Sequence, residues 1–184
     1  MDRMILLPIA HGTEETEAVT VIDLLRRAGL NVTVAGESEV VICSRGIRIN
    51  PDRLIDDIDE SEEFGCIVFP GGATGVENLL NNHELQLITQ RHTNNNTLLC
   101  AICAAPTILA EWHCMPKQTR ITSHPSVASQ LAAYQYSTDD VVTGRNSITS
   151  PGVGTAIPFA LAIITHLTGS DTANRIAEQI VYSA

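Results

Sequence analysis

Cys103 is the residue whose sequence surroundings most favour nucleophilic chemistry. It follows the apolar run Leu98–Ile102, which is typical of a strand buried on both faces, and it precedes Pro106, a residue that suits the first turn of a helix. Ala101 and Ala105 allow a sharp reversal that would hold one side chain up at the strand end, as in a nucleophile elbow. The helix dipole should favour its thiolate. The alternative is a small buried cysteine that only packs.

Cys100 completes a C-x-x-C pattern with Cys103. Residues three apart along an extended strand point to opposite faces, whereas dithiol redox pairs lie around a helix start. We therefore interpret Cys100 as a core residue and not as a redox partner.

Glu17 is a candidate proton carrier beside this thiol. It lies early in a predicted helix, on the same face as the apolar residues Val21, Leu24 and Ala28. A carboxyl group at the end of an apolar stripe needs a partner or a proton, and within reach of Cys103 it could give or take one. The alternative is that Glu14, Glu15 and Glu17 only complement the helix dipole, which fits the first two better than Glu17.

Two further features follow predicted strands. The glycines Gly71 and Gly72 come just after the apolar run 66–69, where their N–H groups could face a developing oxyanion beside the thiol. A tight turn that needs positive φ explains them nearly as well. His124 ends a predicted strand and could assist Cys103 as a base, or be an ordinary surface histidine. The other histidines do not have the sequence spacing that is typical of metal ligands, so we predict no metal site.

Strands and helices alternate along the chain, which predicts a three-layer α/β fold with a mostly parallel sheet. Predicted helices include 14–28, with Thr13 as a possible N-cap, and 76–92. A short hairpin, or an extension at the sheet edge, is expected at 40–43 and 47–50. A solvated acidic surface segment is expected at 51–63, and a strand at 120–123. The loops at the carboxyl ends of the strands should meet, because function gathers there in such sheets. These loops are 11–17, 70–75, 103–106 and 123–125.

Composition narrows the class of protein. A length of 184 residues favours one domain, 1–184, and 44% hydrophobic residues indicate a globular chain. The formal net charge of −10 argues against general affinity for nucleic acid or an anionic membrane. No apolar run is long enough to span a bilayer, and the first residues do not resemble a signal peptide. With five scattered cysteines, we expect a cytoplasmic protein with free thiols.

The chain resembles the ThiJ/PfpI superfamily, and most closely the branch that holds bacterial YajL and the Parkinson's-linked deglycase. The resemblance covers nearly the whole chain. The matching stretches are GTEETE at 12–17, RRAG at 26–29, CSR at 43–45, PGG at 70–72, AICAAPT at 101–107, SHP at 123–125 and GVGT at 152–155.

The resemblance implies a flavodoxin-like fold, a homodimer and a site without cofactor or metal. It implies that Cys103 is the nucleophile and Glu17 its carboxylate partner, with His124 near the thiol. The glycine turn and the Ala104 N–H would form the oxyanion site. Two arginines, Arg27 and Arg45, match positions that this branch places near the site, where they could hold an anion across the dimer.

The implied activity is that of a cofactor-independent glyoxalase or deglycase acting on methylglyoxal or on amino acids, proteins or nucleotides glycated by it. The alternative is a non-enzymatic redox sensor or redox-regulated chaperone that uses the same cysteine. Ala104 stands where the protease-like branch has a histidine, which argues against a Cys–His peptidase. Glutamine amidotransferases need a late His-x-Glu, which this chain lacks.

Overall fold

A seven-stranded sheet in the order β10-β11-β7-β6-β1-β2-β5 forms the centre of the computed structural model, which describes residues 4–183. The strands are β1 (Met4–Ile9), β2 (Val32–Gly36), β3 (Val41–Ile42), β4 (Arg48–Ile49), β5 (Arg53–Leu54), β6 (Phe64–Phe69), β7 (Leu98–Ile102), β8 (Arg120–Ile121), β9 (Gln135–Tyr136), β10 (Val142–Thr143) and β11 (Ser147–Ser150). The helices are α1 (Glu15–Arg27), α2 (Ala73–Leu80), α3 (His83–Asn94), α4 (Pro106–Glu111), α5 (Ala156–Thr168) and α6 (Ser170–Gln179).

All neighbouring strands of this sheet are parallel except β10 and β11, which pair antiparallel. β6 and β7 at its centre are almost entirely apolar and buried, as a strand covered on both faces must be. The predicted α/β class with a mostly parallel sheet, of flavodoxin-like type, is confirmed.

Two apolar cores lie on opposite faces of the sheet. Alternate residues of the strands point to opposite sides, so that Leu7 packs with α1, α5 and α6, whereas Leu6 packs with α2, α3 and α4. This arrangement makes three layers and leaves the carboxyl ends of β1, β6, β7 and β11 at one edge.

The predicted helix at 76–92 is wrong as a single element. α2 ends at Leu80, and Asn82 caps a new helix, α3, by accepting a hydrogen bond from the Leu85 N–H (2.8 Å). An asparagine competes for backbone hydrogen bonds and therefore favours a cap over a helix interior.

The predicted surface segment at 51–63 is also wrong in part. β5 adds a strand to the edge of the main sheet beside β2, and Ile55 and Ile58 are buried in the core. Within the strand predicted at 120–123, β8 pairs with β9 in a separate two-stranded sheet. The hairpin is confirmed, since β3 and β4 pair antiparallel outside the main sheet.

The cap of α1 differs from the expectation as well. Glu14, and not Thr13, supplies the capping oxygen, which accepts the Glu17 N–H at 2.7 Å. The Thr13 hydroxyl oxygen instead accepts the Ala10 N–H and tightens the turn after β1 (3.0 Å). Across residues 4–183, the helices are all too short or too polar to cross a bilayer.

Candidate active site

Cys103 lies on the elbow between β7 and α4. Its φ of 64° falls in the left-handed region, which costs a non-glycine residue about 1–3 kcal/mol. Two backbone hydrogen bonds hold the residue there, from the Cys103 N–H to the Ser150 oxygen (2.9 Å) and from the His124 N–H to the Cys103 oxygen (2.8 Å). Cys103 is only partly buried, whereas Cys43, Cys66, Cys100 and Cys114 are buried. The fold therefore presents this thiol at the strand end.

Glu17 is completely buried next to Cys103, on the first turn of α1. Its Oε2 accepts a hydrogen bond from the Gly71 N–H at 2.9 Å, and its Oε1 has no hydrogen-bond partner among the described residues. Burial, helped by the charge of Glu14, raises the pKa of Glu17 to about 7, although the Gly71 N–H opposes this. A carboxyl group with this pKa can both hold and release a proton near neutral pH.

The thiol of Cys103 does not behave as the helix-dipole argument predicts. Burial and the nearby charge of Glu17 raise its pKa to about 11, which outweighs the N–H groups of Gly72 and Ala104 that favour the thiolate. Because an ionised Glu17 repels a thiolate, simultaneous ionisation of the two groups is unfavourable. We infer that the thiolate forms when Glu17 is protonated, since the carboxyl can then donate to the sulfur.

The turn after β6 needs glycines because other groups of the protein approach its backbone closely. A Cβ at Gly71 would lie 2.5 Å from the Cys103 Cβ and 2.6 Å from the Glu17 Oε2, and a Cβ at Gly72 would lie 2.2 Å from the Gly12 oxygen. Gly72 also has a φ of 92°. The N–H groups that favour the thiolate are those of Gly72 and Ala104. The prediction for Gly71 needs correction, because its N–H is used by Glu17 and positions the acid.

His124 lies at the cleft but does not bind Cys103 through its ring. The side chain is exposed, and its Nδ1 lies 2.8 Å from the Ser126 hydroxyl and 3.3 Å from the Ser126 nitrogen. Its contact with Cys103 is through the backbone N–H. The ring therefore forms part of the wall, and its hydrogen bonds go to Ser126 and not to the sulfur.

An open cleft of about 600 Å³ surrounds these groups. The four predicted loops do meet there, and two further segments, 43–45 with the predicted Arg45 and 152–153, complete its wall. The lining residues are Gly12, Glu14, Glu17, Cys43, Ser44, Arg45, Gly72, Ala73, Thr74, Cys103, Ala104, His124, Ser126, Gly152 and Val153. A second cavity of about 420 Å³ opens at the amino ends of the strands, and its lining residues include no carboxylate. Within residues 4–183, no three metal-ligating side chains of His, Cys, Asp or Glu come together.

The two predicted arginines have different positions. Arg45 lines the cleft, whereas Arg27 lies on the last turn of α1 and pairs with Asp23 (2.7 Å). Ten helical residues separate Arg27 from Glu17, or about 15 Å along the axis. A single chain therefore does not bring Arg27 to its own cleft, and a role across a dimer stays a prediction.

Glu15 is a residue whose part in this site the sequence pattern did not reveal. It is buried, and its carboxylate accepts hydrogen bonds from the Ser44 hydroxyl (2.7 Å) and the Arg45 N–H (2.8 Å). Those partners lie 29 and 30 residues further along the chain, so helix periodicity alone could not identify them. In the sequence, the polar CSR stretch at 43–45 was the feature that could have pointed to these partners.

Comparison with known proteins adds to this geometry. The model of the DJ-1/PfpI family matches residues 3–166. The "Parkinson disease protein 7 homolog" of Danio rerio is 35% identical over 181 residues, covering 96% of this chain and 95% of that protein. The "Glutathione-independent glyoxalase DJR-1.2" of Caenorhabditis elegans is 35% identical over 180 residues, covering 96% and 94%.

A solved structure agrees with the fold. The crystal structure of Drosophila melanogaster DJ-1beta superposes with a TM-score of 0.94 at 37% identity, covering 100% of both chains. Some relatives are longer: the chain is 38% identical to Arabidopsis thaliana "Protein DJ-1 homolog B" over 169 residues but spans only 38% of that protein's length.

Proposed function

The chain belongs to the DJ-1/PfpI family, and from that premise we propose that it is a cofactor-independent glyoxalase or deglycase with Cys103 as its nucleophile. Its substrates would be methylglyoxal, or amino acids, proteins or nucleotides that methylglyoxal has glycated. The observation that carries the proposal is the partly exposed thiol of Cys103 beside the buried carboxyl of Glu17, both lining an open cleft. The name of the Caenorhabditis elegans relative supports the glyoxalase reaction.

In the first step, the Cys103 sulfur forms a bond to the aldehyde carbon of the substrate. The thiol proton passes to the aldehyde oxygen by way of Glu17, and the product is a hemithioacetal. The N–H groups of Gly72 and Ala104 would stabilise negative charge at the reacting centre, where fixed donors contribute most to rate. With a glycated amine in its hemiaminal form, the sulfur would displace the amine, which would leave with the thiol proton, and the product would be the same hemithioacetal.

In the second step, Glu17 removes the proton from the former aldehyde carbon and returns a proton to the neighbouring carbonyl carbon, while the hydroxyl proton of the hemithioacetal passes to the neighbouring carbonyl oxygen. The ketone becomes an alcohol and the hemithioacetal becomes a thioester, so no external oxidant is needed. Water then cleaves the thioester, which releases a 2-hydroxy acid and restores the thiol. For methylglyoxal the product is lactate. A buried carboxyl with a pKa near 7 is suited to this two-way transfer.

Lactate formation from methylglyoxal by the purified protein tests this proposal. Cys103→Ala should abolish turnover, and Cys114→Ala, which removes a buried thiol outside the cleft, should retain it. Turnover that survives in Cys103→Ala, or absence of turnover in the wild-type protein, would contradict the proposal.

A redox sensor or redox-regulated chaperone is the second candidate function. Cys103 is partly exposed, and the N–H groups of Gly72 and Ala104 would bind the oxygens of an oxidised sulfur as readily as an oxyanion. Peroxide-dependent protection of a client protein from aggregation, lost in Cys103→Ala and unaccompanied by lactate formation, would favour this function.

We also propose a homodimer formed by a single domain, 1–184, in the cytoplasm. Large apolar side chains are exposed on α1, on the β3–β4 hairpin and just before α5, and burial in a dimer would remove them from water. They are Val19, Ile42, Ile47 and Val153. The free thiols among the described residues suit a reducing compartment.

A further inference from the structure

Cys66 and Cys100 form a pair of thiols in the core of the protein. They lie on the neighbouring central strands β6 and β7, on the face of the sheet that packs against α1, α5 and α6, and both residues are 0% exposed. Their Sγ atoms are 3.7 Å apart. The chemistry proposed for the cleft uses neither thiol, so the pair can have a separate role.

The register of the two strands argues against a disulfide between these thiols. Cys66 is paired with Leu98 across the strands. Cys100 is paired with Val68, so the two cysteines are offset by two residues along the strand direction. With a rise of about 3.3 Å per residue and strands about 4.8 Å apart, their Cα atoms lie about 8 Å apart. A disulfide requires a Cα separation of about 7 Å or less, so the sulfurs could bond to each other only if the central strands moved.

A single atom bonded to both sulfurs fits the observed separation. Two bonds of about 2.3 Å, the length of a Zn–S bond, span 3.7 Å when the angle at the bridging atom is about 107°. A linear two-coordinate ion would need the sulfurs about 4.6 Å apart. A tetrahedral ion would need two further ligands, and within residues 4–183 no third His, Cys, Asp or Glu joins the pair. The geometry therefore favours a bent centre whose third bond goes to a group that it brings with it.

The surroundings of the pair favour a product without net charge. Burial, with the thiol of Cys66 beside it, raises the pKa of Cys100 well above its ordinary value. A charged metal–thiolate centre in this apolar core would lose its hydration at a high cost in free energy. Two thiols and a monosubstituted trivalent arsenical instead condense to a neutral product. The As=O bond and two S–H bonds break, two As–S bonds form, water leaves, and arsenic stays trivalent.

A cavity borders this pair of thiols. The cavity of about 420 Å³ at the amino ends of the strands has Cys66 in its wall, together with the apolar residues Ile5, Leu30, Leu98 and Leu167. Its volume lies within the range of small-molecule sites, which is about 300–1,000 Å³. An aryl or alkyl group carried by the arsenic would pack against these apolar side chains.

We propose that Cys66 and Cys100 are a binding site for monosubstituted trivalent arsenicals, in which the arsenic bridges the two sulfurs and its organic group lies in the cavity. The cavity opens at the opposite end of the strands from the cleft of Cys103. The site is therefore independent of the glyoxalase reaction proposed for that cleft.

Titration of the reduced protein with phenylarsine oxide tests this site. Mass spectrometry should show the gain of one phenylarsenic group with the loss of two hydrogens. The adduct should survive an excess of 2-mercaptoethanol and be released by 2,3-dimercaptopropanol, because a monothiol cannot replace both bonds at once. Cys66→Ala and Cys100→Ala should each weaken binding about 10²–10⁴-fold, the gain that a second linked contact provides.

Two variants distinguish this pair from the other thiols. Cys103→Ala removes the reactive thiol of the cleft, where Cys43 is a second lining cysteine, and Cys114→Ala removes a buried thiol outside the cleft. Both variants should bind phenylarsine oxide as the wild-type protein does. Loss of the adduct in Cys103→Ala would assign the arsenical to the cleft and overturn the inference.

Three other results would overturn the inference as well. They are the absence of an adduct in the wild-type protein, its removal by 2-mercaptoethanol, and wild-type affinity in folded Cys66→Ala or Cys100→Ala. If an alanine variant does not fold, Cys66→Val or Cys100→Val takes its place, because valine nearly conserves the buried volume. The same loss of affinity is expected there, and unchanged affinity would count against the site in the same way.

Discussion

Glu17→Gln tests the role of Glu17 beside Cys103 most directly. Glutamine has nearly the same shape, its amide oxygen can still accept the Gly71 N–H, and its NH₂ can occupy the place of the unpartnered oxygen. It cannot accept or release a proton at neutral pH. The variant therefore removes proton transfer and charge while it keeps the packing.

Loss of proton transfer should be visible in turnover. General acid–base assistance contributes about 10²–10⁴-fold to rate, so the kcat/KM for methylglyoxal should fall by that factor. Lactate formation under steady-state conditions measures it, with Glu84→Gln, which removes an exposed acid on α3, as the matched control.

Loss of charge should act on the thiol in the opposite sense. The charge of Glu17 is one of the causes that raise the pKa of Cys103 to about 11, and burial of the thiol is the larger one. Glutamine removes the charge and leaves the burial. The midpoint of the pH dependence of iodoacetamide alkylation should therefore fall below about 11 in the variant, by less than the whole rise above the ordinary cysteine value.

Stability gives a third, independent measurement. The pKa of Glu17 is raised in the folded protein from 4.5 to about 7, so the folded state binds the proton more tightly than the unfolded chain. The resulting stabilisation is complete below pH 4.5 and is lost as the pH rises through about 7, by up to ~3 kcal/mol. Urea unfolding at pH 5 and pH 8 should show this loss in the wild-type protein and not in Glu17→Gln.

Each measurement can refute a different part of the reasoning. Wild-type turnover in Glu17→Gln would show that Glu17 moves no proton in the reaction. An alkylation midpoint that rises would contradict the repulsion between the two groups. Equal pH dependence of the two free energies of unfolding would show that burial does not raise the pKa of Glu17.

Three further predictions concern reactivity, assembly and acid stability. Brief iodoacetamide treatment followed by peptide mapping should label Cys103 before the four buried cysteines, and preferential labelling of another thiol would refute the site. Light scattering at micromolar concentration should give the mass of a dimer. Ile42→Asp should reduce that mass, whereas Leu87→Asp, at a similarly exposed position on α3, should not. A monomeric wild-type protein would contradict this prediction. Burial lowers the pKa of His92, whose ring accepts the Phe64 N–H. The free energy of unfolding should therefore decrease as the pH drops below about 6.5, and it should decrease less in His92→Gln. An unchanged difference between the two proteins from pH 7 to pH 5 would exclude this role.

The amino-acid sequence by itself determined the features that depend on neighbours in the chain. The run Leu98–Ile102 followed by Cys103 and Pro106 predicts the elbow, because strand burial and helix initiation are local. The alternation of elements predicts the parallel sheet, and the sheet places the loops together at one edge. Glu17 could be identified because its helical face is apolar.

Only the tertiary structure decided what depends on distant segments. The pKa of Cys103 is set by burial and by Glu17, and these outweigh the local helix dipole from which the sequence predicted a thiolate. Glu15 was interpreted as a helix-end charge because its partners lie 29 and 30 residues away. Gly71 serves Glu17 because the fold places them 2.9 Å apart. Charge, hydration and hydrogen bonding act through space, so their outcome depends on which surfaces the folded chain brings into contact.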